Sequence, residues 1–325
     1  MPLTRIIVVV FALAATFASP ATHAQVYPAK QLRLVVPYPA GGGTDFFARV
    51  IGAQLSLQLG QQVVIENRPG AATIIGAEAV VKSAPDGYTL LLGDTATFAV
   101  NPILYKKLPY DPQKDLAPVS LTGRFALLLV VNPAKISATT VKDLVEEAKK
   151  TPGKLDYASP GPGSPHHLAM EMFKQRTGTQ FVHVPYKGAA PAMQDLLSGQ
   201  IPLMFLDLAA GAPQIRAGKL KALAVASDKR IVALPDLPTV GESGLPGFEA
   251  WAWQALAVPA GTPKDVVARL NTEYRKAIAT PELRQKLIDA GIDPLQSSPE
   301  EASAYIRSET AKWAKVIGDG KITVE

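Results

Sequence analysis

"LRLVVPYPAGGGTDFFARVIGAQLSLQLG", Leu32–Gly60, decides the fold. Four of its first five residues are apolar and the run is β-prone, its middle is a Pro/Gly turn, and its last sixteen repeat apolar side chains at helical spacing. This is a strand, a glycine loop and a helix in one unit. The helix is expected to start at Thr44 or Asp45, which points the amides of Gly42, Gly43 and Thr44 outward at its positive end. Such an end attracts carboxylate or phosphate. Two readings stand for these residues: an anion site, or tight-turn glycines with Asp45 as a helix cap.

The rhythm continues outward from that unit. "QVVIEN", "TIIGAEAVVKSA" and "YTLLLGD" give strand, helix and strand, each switch marked by Gly, Pro or Asp. An α/β lobe with a mostly parallel sheet follows. After the connecting stretch "DLAPVSLTG" the alternation restarts with "FALLLVVNP", a helix "TVKDLVEEAKK" capped by Thr140, the strand "LDYAS" and a helix after "GPGS". "FVHVPY", "APAMQDLLSG", "IPLMFLD" and "LKALAVAS" complete a second lobe of similar build. "AWAWQALAVPA" reads as a strand returning to the first lobe, and the remaining helices, with Pro263, Pro281 and Pro299 in their first turns, cover the sheets. The division expected is 25–124 with 230–325 as lobe one and 125–229 as lobe two. With no flexible linker at either crossing, the lobes are hinged.

The 325 residues, 47% hydrophobic, are enough for one large core or two modest ones. Residues 1–24 read as a separate object: Arg5, the apolar run "IIVVVFALAATFA" and small residues at Thr22 and Ala24 spell a secretory signal peptide cleaved after Ala24. The chain has no Cys, which removes disulfides, thiolate metal sites and cysteine nucleophiles. A net charge of +5 without a basic, aromatic-interleaved run argues against nucleic acid.

Catalytic equipment is sparse. The first loop lacks the Lys of a Walker motif and the spacing of a dinucleotide fingerprint. "YASPGPGSPHHL" offers Ser159, Ser164, His166 and His167, but Pro165 follows Ser164 where a nucleophile elbow needs another pattern. The histidines have no metal-site spacing, so no metal and no cofactor are expected. That same stretch, with Gly161, Gly163 and Ser164 opening a helix, is a second strand-loop-helix junction that would face the first across a cleft. "GDTATFAVNP" adds Thr95 and Thr97 as hydroxyl donors or ordinary turn residues. "VPYKGAAPAM" brings Tyr186, Lys187 and Gly188 to another strand end. Asp207 ends its strand, either to orient a ligand or to cap the next helix.

These motifs, with "ENRPGA", "DGYTLLLG", "NPILYKKLPYDPQKDLAPVSL", "KALAVAS", "LPTVGESG" and "LAVPAGTPKDVVARLN", resemble in order and over nearly the whole mature chain the Bug or TctC family. These are extracytoplasmic solute receptors of tripartite tricarboxylate transporters. The resemblance implies a type II periplasmic binding protein: two α/β lobes with hinge strands and a central ligand cleft. It implies a periplasmic, monomeric, non-enzymatic receptor that closes on a small carboxylate (a di- or tricarboxylate, acidic amino acid or aromatic acid) and delivers it to membrane permease subunits. The site residues expected are Tyr38, Ala40, Gly42, Gly43, Thr44, Asp45, Thr95, Thr97, Ser159, Gly163, Ser164, Tyr186, Gly188 and Asp207. Departures from the family pattern at Ala72–Ile74 and Pro162, with Phe46 and Phe98 nearby, suggest a more apolar distal pocket, unless those rings pack in the core. The alternatives are a secreted enzyme acting on a carboxylic acid through Asp45 or Asp207 with Ser164, and a receptor feeding a two-component sensor.

Overall fold

The computed structural model describes residues 27–323. The signal peptide expected over 1–24, with its cleavage point, lies outside the described residues. β1 (Leu32–Val36), α1 (Gly43–Leu59), β2 (Val63–Asn67), α2 (Ile74–Val81) and β3 (Thr89–Asp94) alternate in sequence. β1 lies between β2 and β3 and pairs with both in parallel. Helix α1 forms because Phe47, Ala48, Ile51, Leu55 and Leu59 fall on one buried stripe. Burying each large member contributes about 1.5–3 kcal/mol. Gly52 on that stripe lets the helix approach β2, since a Cβ there would sit 2.9 Å from the Ile65 Cδ1. Gly60 then stops the helix at φ 66°. Gly60→Ala meets no neighbour within 4 Å but forces alanine into the left-handed region. It is expected to cost about 1 kcal/mol in urea unfolding, and an unchanged midpoint would show the turn relaxes freely.

A π-helical turn (Ala96–Val100) and α3 (Asn101–Leu104) lead to β4 (Leu116–Val131), a single 16-residue strand where a connection followed by a shorter strand was expected. Pro118 and Gly123 look like breakers, yet each lies where the register against the later strand β9 shifts. A bulge absorbs the missing N–H of proline and the missing side chain of glycine.

Beyond β4 come α4 (Val141–Lys150), β5 (Leu155–Ser159), α5 (Pro165–Thr177), β6 (Phe181–Pro185), α6 (Ala189–Ser198), β7 (Leu203–Asp207), α7 (Leu208–Arg216) and β8 (Lys221–Val225). β5 pairs in parallel with β6 and β7. Thr140 caps α4 in a reciprocal box with Asp143, as its sequence predicts. The chain then returns through β9 (Trp251–Pro259), α8 (Lys264–Ile278), α9 (Pro281–Asp289), β10 (Ile292–Pro294) and α10 (Pro299–Gly320).

The strand order is β2-β1-β3-β9-β4-β7-β5-β6, with β8 and β10 also on β4. β4 joins the two sheets: Leu116–Ala126 pair antiparallel with β9, and Leu127–Val131 pair with β7. The return strand passes the same point, because the Ala226 N–H donates to the Leu127 carbonyl and the Ala250 N–H to the Ala226 carbonyl. Two chain crossings side by side form the hinge expected of this fold class. α10 is anchored by buried Glu309, which accepts from Nε1 of Trp253 at 2.8 Å and of Trp313 at 3.1 Å.

Candidate functional site

The glycine loop after β1 is set by Asp45, and not for contact with the cleft. Its carboxylate accepts from the Gly41 N–H at 3.0 Å, from Arg49 at 2.9 Å through two nitrogens, and from Asn67 Nδ2 at 2.9 Å. Burial alone would raise this carboxyl's pKa, but the Arg49, Gly41 and Asn67 bonds outweigh it and leave the value below the usual range. With Asp45 facing backward, Gly42 is the N-cap of α1 and supplies no side chain to cover the helix start. The first-turn amides are left open toward the cleft.

A second bare helix start stands opposite. α6 begins after Gly188, at φ 120° and with no side-chain cap. Gly188 is needed both for that φ and because a Cβ there would lie 2.7 Å from the Pro39 Cγ. A Cβ on Gly42 would sit 3.8 Å from that of Ala189, so the two helix starts nearly touch. A third arrives with α7: Asp207 is its N-cap but makes no capping bond. Its carboxylate reaches across instead, with Oδ2 3.2 Å from where a Gly43 Cβ would be.

Between them lies a small, partly open cavity of about 30 Å³, lined by Tyr38, Gly42, Gly43 and Thr44 on one side and by Pro165, His166, Ala189 and Asp207 on the other. Asp94, Phe125 and Gln254 form its floor. No Lys or Arg is among its lining residues. Tyr38 donates to Asp94 Oδ2 at 2.7 Å, and Thr97 donates to Oδ1 at 3.0 Å through its hydroxyl. Burial nevertheless holds the Asp94 pKa above the usual carboxylate range, against the lowering effect of the Tyr38 and Thr97 bonds. Among the lining residues described, His166 at both ring nitrogens and Gln254 at Oε1 carry buried polar atoms with no hydrogen bond. His166 Nε2 lies 3.2 Å from Asp207 Oδ2, too poorly aligned for a hydrogen bond.

The cavity opens onto a larger hollow of about 740 Å³ that shares Tyr38, Pro39 and Pro160 and adds Tyr186, Lys187, Gly188 and the loop Pro69–Thr73. In that loop Ala71, Ala72 and Thr73 hold φ of 44°, 51° and 76°. Asn101 Nδ2 locks the strained backbone by donating to the Ala72 carbonyl at 2.7 Å. A hollow of about 1090 Å³ lies elsewhere, between the start of α4 and the segment after β8. It is open to solvent and away from the three helix starts.

The other expected site residues fall as follows. Ala40 is exposed and lines neither the inner cavity nor the outer hollow. Thr95 is buried and bonded to the Trp253 backbone. Ser159 Oγ is held by Gly161 and His183. The Gly163 N–H donates to His167 Nδ1 at 3.1 Å, and the Ser164 hydroxyl caps α5. Their amides and hydroxyls are therefore used within the chain, and Pro165 and His166 represent that loop in the cavity. Tyr186 donates to Asp195 at 2.6 Å from the wall of the outer hollow. Phe98 stacks on Trp253 in the core and Phe46 packs against the main core cluster. Neither reaches the cleft, so the apolar pocket expected from these rings is not formed by them. Ser164 does not meet Asp45 or Asp207 in any hydrogen bond, and among the described residues no cluster of three or more His, Asp or Glu could hold a metal.

Asp94, Phe125, His166, Ala189 and Gln254 line the cavity although none is among the expected site residues; His166 and Gln254 are the two with unpartnered polar atoms. One is half of a His-His pair without metal spacing, and the other sits in a strand buried on both faces.

Comparison with known proteins assigns the family. The family described as tripartite tricarboxylate transporter family receptor, TctC, matches residues 47–321. BugT of Bordetella pertussis is 38% identical, with 98% of each chain covered. An R. palustris protein solved with adipate superposes with a TM-score of 0.89 at 38% identity, over 91% of this chain and 99% of its own. A Rhodopseudomonas palustris protein with bound malate superposes at 0.84 and 32% identity, over 90% and 100%. These are solute-binding receptors and not enzymes. With a family match over most of its length and relatives aligned almost end to end, the chain belongs to the TctC family of tripartite tricarboxylate transporter receptors.

Proposed function

We propose that this protein is a periplasmic receptor that captures a small carboxylate between two lobes and presents it to the membrane permease of a tripartite tricarboxylate transporter. The observation that carries this reading is the pair of uncapped helix starts, α1 and α6, meeting at one small cavity. Each offers backbone N–H groups and the positive end of a helix to the same anion. Gly42, Gly43 and Thr44 grip from the lobe 25–124 with 230–325, and Ala189 beyond Gly188 grips from the lobe 125–229. The change of partners along β4 at Ala126/Leu127 supports a hinge near that boundary. A ligand touching both starts stabilises the closed arrangement over the open one by its differential contacts. The exported, monomeric state follows from the same reading: the receptor diffuses between the ligand and its permease.

The test is a thermal-shift panel of dicarboxylates, citrate, acidic amino acids and aromatic acids. At a hundred times its Kd, a ligand adds about 2.7 kcal/mol to the folded state, which raises the melting temperature by about 5–10 °C. A panel in which no acid moves the transition would remove the carboxylate reading. Loss of uptake of the binding acid on deletion of the gene tests delivery to a permease.

A further inference from the structure

The inner cavity is not a simple anion trap. Its amides favour a carboxylate, but two of its side chains add acceptors, the Asp207 carboxylate and Oε1 of Gln254, whereas both Asp94 oxygens already accept from Tyr38 and Thr97. Gln254 is 2% exposed, and its Nε2 is already committed to Thr44 Oγ1 at 2.6 Å. Its Oε1 is left buried and without a partner. A buried acceptor of this kind calls for a donor from outside the chain, a ligand group or an ordered water. No Lys or Arg lines the cavity, and the His166 ring, 3.2 Å from Asp207, makes no hydrogen bond to Oε1.

We propose, building on the carboxylate-receptor reading, that Gln254 is a specificity-determining residue. Its Oε1, together with Asp207, accepts from a hydroxyl or ammonium group on the carbon next to the gripped carboxylate. The inner cavity of about 30 Å³ fixes the position of that donor. It has room for little beyond the carboxylate and its nearest substituent, and the rest of the ligand extends past Tyr38 and Pro160 into the outer hollow. An unsubstituted acid leaves Oε1 unpaired on closure and sets no donor against Asp207. A site built to hydrogen-bond a group discriminates strongly against the analogue that lacks it. Hydroxy and amino acids share the recognised chemistry, and the two are separated by measurement.

The experiment is isothermal titration of the purified mature chain with two matched sets: succinate, malate and aspartate, and hydrocinnamate, phenyllactate and phenylalanine. In at least one set the hydroxy or amino acid is expected to bind at least about tenfold tighter than its unsubstituted parent. Gln254→Met, similar in shape but without the oxygen, is expected to bring that ratio within about threefold while the parent acid's affinity changes little. Gln254→Glu keeps an acceptor and is expected to keep the preference. Equal binding of parent and substituted acids in the native protein overturns the inference and leaves the receptor reading standing. So does a ratio that survives in Gln254→Met, or one lost equally in Gln254→Glu. Absence of binding by every acid in both sets removes the receptor reading and this inference with it.

Discussion

Replacing Gly43 with leucine is expected to weaken binding of the cognate acid at least about a hundredfold, roughly 2.7 kcal/mol, while the unliganded protein melts within a few degrees of the native one. Gly43 is the first residue of α1, and it is not among the residues held at positive φ. Leucine is therefore compatible with the backbone, and is a better helix former than glycine. The obstacle is across the cleft. A Cβ would already stand 3.2 Å from Asp207 Oδ2 and 3.3 Å from Phe125 Cδ1, and three further carbons would have to enter a cavity of about 30 Å³. Separating the lobes relieves the clash with Asp207, so the variant folds but favours the open form. A ligand whose affinity comes from closure must then work against that preference. Calorimetry reads the affinity, and small-angle scattering reads the failure to compact on adding ligand. Gly43→Ala is expected to fall between the two, because contacts of 3.2–3.3 Å require only a small yielding of its neighbours. Native affinity in Gly43→Leu would mean that the closed cleft is not the bound state.

The prominence of Gly43 was legible in the sequence; the identity of the surface opposite it was not. A glycine loop between a β-prone run and an amphipathic helix declares a bare helix start from local chemistry alone, and the alternation of such units declares two α/β lobes. What faces what depends on contacts between residues far apart in the chain. "SPGPGS" looks like the natural counterpart, but its amides turn inward to Ser159, His167 and the Gly161 carbonyl. The start of α6 takes the opposing place, because Gly188 can pass within reach of Pro39. Thr95 and Thr97 were chosen as free hydroxyls at a strand end, yet the π-helical turn after β3 buries both among partners in the chain. "DLAPVSLTG" reads as a connection before the strand "FALLLVVNP", because its Pro118 and Gly123 break a strand pattern. Only pairing with β9 shows that bulges accommodate them. Gln254 gives no local signal at all: β9 is buried along its whole length, so one polar residue there breaks no alternation that a reader can use.

Acidification is expected to loosen the receptor between about pH 6.5 and 4.5, through a pair of buried histidines beneath the cleft. The rings of His167 and His183 stack at 4.1 Å, and Tyr157 stacks on His183 at 4.9 Å. Burial first, and the Lys174 charge second, lower the His167 pKa from 6.5 to about 4. Burial and the neighbouring His167 lower His183 to about 3, with Glu171 opposing. Both rings are therefore neutral in the folded protein at pH 5, whereas in the unfolded chain they take up protons below about 6.5. A depressed folded-state pKa means that stability is complete above pH 6.5 and is lost as the pH falls toward the folded values. At pH 5 the loss from His167 is about 2 kcal/mol, and His183, more open to water, adds less. The consequence reaches the site because neutral Nδ1 of His167 accepts the Gly163 N–H. A proton on that nitrogen sets two donors against each other and releases the loop that carries Pro160 and Pro165 to the cavity wall. Because folded His167 stays neutral until about pH 4, ligand affinity is expected to fall near that pH, below most of the interval over which urea stability is lost. His167→Gln keeps a side-chain acceptor but cannot titrate there, and it should reduce the slope of stability against pH by roughly half. An identical slope in native protein and variant would place the acid sensitivity outside this histidine pair.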